Sequence, residues 1–359
     1  MNKLTHIASS TELAAALLLM SMFHGGCGRS NLHPHAPSPP TEGFVVVVLP
    51  DSQCYMSGGD PPGMTGVCGG GLKPAPEMMY AQMEWIAESL KSHKISAVAG
   101  VGDTVNCAQD AVEWSRAETG YHLLDLTGVP YSTVLGNHDY DQSCMGSIGS
   151  RGSLKFNEHF GPARFANHNW YGESTYPVTT NDNSYVKFDA AQGKFLLLDL
   201  EFFPRNEAID WAKAVIAENM DRQVLIVTHG YMSVKGIRKS SDSFLGPAAY
   251  GLRDSNDGED LWDKLVSRYP NILAVVCGHA GGGDASGATA TRVDQGINGN
   301  LVPQMLANYQ WNMGGGAGYL RILNIQPAKH RIVVSTYSPY LDRTLADGGN
   351  EFAVSYGLQ

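Results

Sequence analysis

Residues 43–50 read Gly-Phe-Val-Val-Val-Val-Leu-Pro, an unbroken, largely β-branched run with no polar residue on either face. A strand with one face in water alternates; a strand without alternation has to be covered on both faces. The run therefore predicts a buried strand in a layered domain. Ile95–Val101, Tyr131–Leu135, Ser184–Asp189, Lys194–Leu200, Val224–Thr228, Ile272–Cys277, Leu301–Ala307, Tyr319–Ile325 and Arg331–Thr336 read as further strands. Met79, Met83, Ile86 and Leu90 recur at helical spacing behind Pro74 and Pro76, and helical patterns fit 109–118, 206–219 and 258–268. The first half is βαβ-like and the end is strand-rich, which argues an α/β domain with at least one mixed sheet. The stretches 141–180 and 231–257 show no clear periodicity, and loops that long are usually functional or disordered.

The 359 residues are 43% hydrophobic, enough for a large core, and carry a formal net charge of −10. An acidic chain does not suit phosphate neutralisation on DNA or RNA, so no specific nucleic-acid binding is expected. An anionic substrate would need local positive charge, from metal ions or a few lysines and arginines.

The N-terminus reads as an export signal: Lys3, then the apolar run Leu13–Phe23, then Gly25-Gly26-Cys27. The run is too short to span a bilayer. Small residues before a cysteine suggest a lipid anchor on Cys27, with His24 a departure from that pattern; ordinary cleaved secretion is the competing reading, and a buried helix a third. The chain then divides into a signal segment 1–27, a Pro/Ser-rich linker 28–42, a catalytic domain 43–340 and a tail 341–359. The protein is expected to be exported: periplasmic, cell-surface or secreted. Export permits disulfides. Cys54 and Cys68 flank one loop, while Cys107 and Cys144 follow Asp103 and Asp139 by four and five residues, so Cys54–Cys68 and Cys107–Cys144 are the expected pairs and Cys277 is free at a strand end.

Five short polar clusters each follow an apolar run: Asp51-Ser52-Gln53, Gly102-Asp103, Gly136-Asn137-His138-Asp139, His229-Gly230 and Gly278-His279. In α/β sheets ligands gather beyond the carboxyl ends of strands. Alone, a Gly-Asp is a turn and a histidine at a strand end is a hydrogen-bonded core residue. Jointly, they supply oxygen and imidazole donors able to hold two divalent cations with one carboxylate bridging. No C-x-x-C pair points to structural zinc, and no G-x-S-x-G elbow to a serine hydrolase.

These motifs resemble the calcineurin-like metallophosphoesterase superfamily, whose pattern is D-x-H, G-D, G-N-H-[DE], H and G-H-x-H; the opening PDSQ and the segments ANYQWNMGGGAGYLRIL and STYSPYLDR resemble a branch that begins P-D-T-Q. The resemblance implies a four-layer αββα sandwich of two mixed β-sheets with the metals at the strand ends. It implies that Asp51 and Gln53 bind a first ion, that Asp103 bridges, and that Asn137, His229 and His279 bind a second. It further implies that His138 assists the leaving group, with Asp139 orienting its ring, and that a metal-activated hydroxide attacks phosphorus. Ions of Mn, Zn, Fe, Mg or Ca would serve, roughly 3.5–4 Å apart.

Two departures fall on the first ion: Gln53 stands for the histidine of D-x-H and Gly281 for the last histidine of G-H-x-H, so that site is expected to be the weaker, with Asp284 a candidate replacement ligand. Gln53→His with Gly281→His is expected to tighten it, unless glycine serves an unusual backbone angle. The expected activity is hydrolysis of a small phosphorylated substrate, monoester or diester. The alternatives are a pyrophosphate-bond hydrolase and a non-catalytic surface lipoprotein retaining the fold. Lys235, Arg238, Lys239 and Arg292 are candidate phosphate contacts, against a reading of the first three as a solvated basic loop.

Overall fold

A computed structural model describes residues 35–60, 66–142, 144, 151–172, 174–281 and 287–358. The signal segment with Cys27, most of the linker, and Asp284 lie outside the described residues.

In chain order the strands are β1 (Phe44–Leu49), β2 (Ile95–Gly100), β3 (Tyr131–Thr133), β4 (Ser184–Ala190), β5 (Gly193–Leu200), β6 (Gln223–Thr228), β7 (Ile272–Cys277), β8 (Ala288–Gln295), β9 (Leu301–Asn308), β10 (Leu320–Gln326), β11 (Arg331–Ser338), β12 (Arg343–Leu345) and β13 (Phe352–Ser355). One sheet runs β12-β11-β10-β1-β2-β3 with β13 also on β11; the other runs β4-β5-β6-β7-β9-β8. Both are mixed. In the first, β1, β2 and β3 are parallel and β10 is antiparallel to β1. In the second, β5, β6, β7 and β9 are parallel between antiparallel edges β4 and β8.

The valine run of β1 is wholly buried, as its lack of alternation demands. One core lies between the sheets, where Phe44 of the first meets Phe188 and Phe195 of the second at ring-centroid distances of 6.0 and 4.5 Å. The strand period separates two cores across the second sheet: Leu197, Leu225 and Val227 face the first sheet, while Leu196, Leu198 and Ile226 face a cluster holding Ile209, Val215, Ile216 and Leu261. Those last residues belong to helices Asn206–Glu218 and Gly258–Lys264. Helices Glu77–Ser89 and Ala111–Thr127 bury Met79, Met83, Leu123 and Leu124 in the core of the first sheet. The layering is αββα.

Several elements differ from the sequence expectation. The helix expected near 109–118 continues to Thr127, capped by Asp110 at its start and ended by Gly128 at φ 71°. Gly120 within it is a packing site: a Cβ there would lie 3.3 Å from Met79 Sδ. The 141–180 stretch holds short helices Leu154–Phe160 and Pro162–Phe165, which bury Phe156, Phe160 and Phe165. The stretch read as a tail carries β12 and β13, both paired to β11. Cys54–Cys68 and Cys107–Cys144 are disulfides, with Cα–Cα distances of 5.5 and 4.0 Å, and Cys277 is free and buried. No helix among the described residues is long and apolar enough to cross a membrane.

Candidate metal centre

Each of the five polar clusters lies just past the carboxyl end of a strand: Asp51 and Gln53 after β1, Asp103 after β2, Asn137–Asp139 after β3, His229 after β6 and His279 after β7. These ends meet where the two sheets face each other. Gln53 Nε2 donates to Asp103 Oδ2 at 3.0 Å. His229 Nε2 stands 3.2 Å from Asp103 Oδ2 and 3.2 Å from Asn137 Oδ1. Asp51 accepts from the His279 backbone N–H at 3.1 Å. Donor atoms of Asp103, His229 and His279 lie within 4.8 Å of one another. All six residues read as ligands thus fall in one cluster, and all six are buried.

The backbone here is unusual. Asp103 and His279 adopt φ of 49° and 68°, in the left-handed region that non-glycine residues rarely enter. Gly136 is required by close approach, because a Cβ would lie 2.2 Å from Asp103 Oδ1. With no side chain there, the GNHD turn presses against Asp103, whose Oδ1 accepts from the His138 N–H at 2.9 Å.

The hydrogen-bond roles show what the cluster lacks. His229 Nδ1 lies 2.7 Å from the Val101 carbonyl, which can only accept, so Nδ1 carries the hydrogen. In the neutral ring, Nε2 then points a lone pair at two oxygens that are also acceptors. Gln53 Oε1 is buried without a hydrogen-bond partner among the described residues. His279 Nε2 faces the Leu245 carbonyl at 3.2 Å and the Tyr250 hydroxyl at 3.1 Å, which leaves Nδ1 for an ion. A proton on His229 would answer its own conflict but leave Gln53 Oε1 unserved. A cation answers both, so the donor set fits divalent metal.

Charge follows the same logic. Burial pushes the Asp51 carboxyl up to about 7. Burial opposes charge on His229, but Asp103 and Asp51 outweigh it and hold the ring up at about 9. Burial, with the nearby His229, pushes His279 well below the usual imidazole range. Two carboxylates and two imidazoles packed so closely are in tension without a shared cation.

One expected role is corrected. The His138 ring is oriented by the Asn106 carbonyl, 2.7 Å from Nδ1, and not by Asp139. Asp139 is fully buried and accepts from the backbone N–H groups of Gly136 at 2.8 Å and Val105 at 3.1 Å, so it braces the turn.

The expected repair of the first site is also corrected. A side chain at Gly281 would have to displace the Trp311 ring: a Cβ would lie 2.2 Å from Trp311 Cη2. Its φ is outside the left-handed region, so packing, not backbone angle, requires the glycine.

Three of the four basic candidates are committed elsewhere. Arg238 is 7% exposed, pairs with Glu259 at 2.8 Å and Asp294 at 2.5 Å, and lies 4.5 Å over the Trp262 ring. Lys239 is buried and donates to the Phe244 carbonyl at 2.7 Å, and Arg292 pairs with Asp294. Only Lys235 is exposed as a solvated basic loop requires.

Sequence reasoning missed Asn308, whose Nδ2 donates to Asp51 Oδ2 at 2.6 Å, and Tyr250 behind His279. Asn308 is the second residue of the ANYQWN segment, which carries part of the resemblance to the P-D-T-Q branch. Nothing in the sequence marks Tyr250.

Residues 45–281 match the family profile described as Calcineurin-like phosphoesterase. The chain is 30% identical over 292 residues to the uncharacterized protein YvnB of Bacillus subtilis (strain 168), a match over 79% of this chain and 21% of that protein. The chain thus spans about a fifth of that relative's length. A crystal structure of a dimetal phosphatase from Danio rerio superposes with TM-score 0.50 at 12% identity, over 88% of this chain and 100% of that one. A purple acid phosphatase from yellow lupin (Lupinus luteus) seeds gives TM-score 0.49 at 14% identity, over 89% of this chain and 55% of that one. At 12% identity the likeness to the Danio rerio phosphatase is one of fold.

Proposed function

From the premise that the chain belongs to the calcineurin-like phosphoesterase family, we propose that it is a metal-dependent hydrolase of phosphate esters built on a dinuclear centre. The observation that carries this is the convergence of lone pairs at His229 Nε2, Asp103 Oδ2 and Asn137 Oδ1, beside the orphaned Gln53 Oε1. In this reading Asn137, His229 through Nε2, and His279 through Nδ1 would hold one ion. Asp51 and Gln53 Oε1 would hold the other, and Asp103 would serve both. Bound there, divalent ions supply charge to neutralise the phosphoryl oxygens and lower the pKa of water at the centre.

The chain's own residues do the rest. Backbone and amide donors hold the carboxylates: Asn308 and the His279 N–H on Asp51, the His138 N–H on Asp103. His138, with Nδ1 committed to Asn106, offers Nε2 to the leaving-group oxygen and donates a proton as the alcohol departs. His138 is half-buried at the rim, where a substrate can reach it.

The reading includes export. Two disulfides suit an oxidising compartment, and the Lys3, Leu13–Phe23, Gly25-Gly26-Cys27 pattern supports secretion or a lipid anchor. The test is a phosphoester panel with Mn²⁺, Zn²⁺, Mg²⁺ and Ca²⁺, read beside metal content. Metal-dependent turnover of a monoester or diester supports the proposal. Metal bound with no turnover of any ester supports the non-catalytic alternative, and turnover of pyrophosphate alone the pyrophosphate-bond alternative.

A further inference from the structure

We propose that Trp311, Met313 and Leu72 form an apolar subsite for the leaving group on the Asp51–Gln53 side of the centre, and that the substrate is a phosphate ester whose alcohol carries a flat, aryl-sized apolar group. This rests on the phosphoesterase reading above.

The indole is set against the centre by geometry. Its six-membered edge lies on the Gly281 backbone, where a Cβ would meet Cη2 at 2.2 Å, Cζ2 at 2.4 Å and Cζ3 at 2.9 Å. Gly281 is two residues past His279, and Trp311 is three past Asn308, whose amide holds Asp51. The ring is therefore carried between two segments that each hold a residue of the centre.

A second loop supports it. A Cβ on Gly69 would lie 1.8 Å from the Asn312 carbonyl oxygen, so that loop packs directly under the Trp311–Met313 backbone. A Cβ on Gly71 would meet Met313 Cγ at 3.3 Å, and one on Gly314 would meet Leu72 Cδ2 at 3.1 Å. The Cys54–Cys68 disulfide ties this loop to the short helix Gln53–Ser57 that begins with Gln53. Trp311 and Leu72 are half-buried and Met313 is 47% exposed, so these side chains keep apolar surface open to solvent, unlike Phe202 and Phe203, which are wholly buried against His229 and His279.

A phosphoryl group has no use for such a wall, whereas an aromatic alcohol stacks on indole and packs on a thioether. A highly anionic leaving group fits poorly, because Arg238 and Lys239 are spent on internal partners, which leaves Lys235 alone of those three exposed, and the chain is strongly acidic.

The experiment measures inhibition and calorimetric binding of methylphosphonate and 2-naphthylphosphonate on metal-loaded protein, beside turnover of methyl phosphate and 2-naphthyl phosphate. The naphthyl compound is expected to bind the native protein about ten-fold more tightly than the methyl one, a margin typical of one good stacking contact. Trp311→Ala should collapse that ratio toward one, Trp311→Phe should restore part of it, and Met313→Ala should reduce it. An equal loss for both phosphonates in Trp311→Ala, or an unchanged ratio, overturns the subsite. Tighter naphthyl binding with no turnover of either ester would sink the phosphoesterase reading and leave the subsite standing.

Discussion

The Nδ1 of His138 lies 2.7 Å from the carbonyl oxygen of Asn106, and that carbonyl is itself held in place. Glu113 Oε2 accepts from the N–H groups of Asn106 at 2.6 Å and Cys107 at 3.0 Å. Glu113 stands in the first turn of the helix Ala111–Thr127 and is 5% exposed. The rigid helix thus fixes the orientation of a proton donor that it never touches.

Glu113→Ala should therefore lower kcat without stripping metal. A loose catalytic ring costs about ten- to a hundred-fold in rate. Glu113→Gln keeps an acceptor oxygen and should recover part of the loss. Equal metal content in all three proteins, with the order native, Gln, Ala in kcat, is the expected result. Metal loss in Glu113→Ala would mean the residue braces the ligands instead.

His138 and Asp103 should separate cleanly. His138→Ala should cut turnover by about a hundred-fold or more while metal stays bound. Asp103→Asn weakens the carboxylate that approaches both His229 and Gln53, so turnover and metal should fall together. Elemental analysis beside kinetics decides it: metal stripped by His138→Ala would make His138 a ligand and reverse the assignment.

A buried carboxyl between the sheets predicts a pH signature in stability. Asp199 of β5 accepts from Ser132 Oγ of β3 at 2.8 Å and Ser184 Oγ of β4 at 3.3 Å, and joins the two sheets. Burial pushes its carboxyl up to about 7. Between its unfolded value and 7 the folded chain holds a proton that the unfolded chain has lost. Its contribution is therefore fully present below about pH 4 and fades as pH rises through 7, by about 1.4 kcal/mol per unit at the steepest. Asp199→Asn cannot ionise and keeps the hydroxyl contacts. Relative to the native protein it should gain stability from pH 4 to about 7 and level off above that in urea unfolding. A difference that does not vary with pH would show that Asp199 ionises freely when folded.

The centre was legible because its chemistry is local. Asp51, Asp103, Asn137, His229 and His279 each sit one to four residues past a strand, and strand ends are where a layered sheet gathers ligands. What escaped was long-range. Asn308 meets Asp51 across 257 residues, and Tyr250 meets His279 from a loop with no periodic pattern. The pattern GNHD invited a pairing of His138 with its neighbour Asp139, but the ring turns to a backbone carbonyl 32 residues away, and a carbonyl has no side-chain signature. β8 was missed because its outer half, Thr291 to Gln295, is charged and polar apart from the exposed Val293, as suits an edge strand. β12 and β13 were missed because they are short and mostly exposed.

The two ions should differ in tenacity. One site offers His229 and His279 with Asn137 and Asp103, and imidazole holds zinc or iron firmly. The other offers Asp51, Gln53 Oε1 and Asp103 with no imidazole, and one Asp51 oxygen already accepts from Asn308. Oxygen donors suit Mn²⁺, Mg²⁺ or Ca²⁺ and release them more readily. Exhaustive dialysis should leave about one equivalent of metal, with activity lost and then restored by added Mn²⁺. The structure also fixes how the weak site responds to repair. Gly281→His drives a side chain into Trp311, so alone it should destabilise the fold by about 1–3 kcal/mol, the usual range for overpacking. It should not tighten the second equivalent. Gly281→His with Trp311→Gly opens the space, and Gln53→His then adds a second imidazole; only in that combination should the dialysis-labile ion be retained. Two equivalents held equally by the native protein would overturn the asymmetry and direct the search for a further ligand to Asp284.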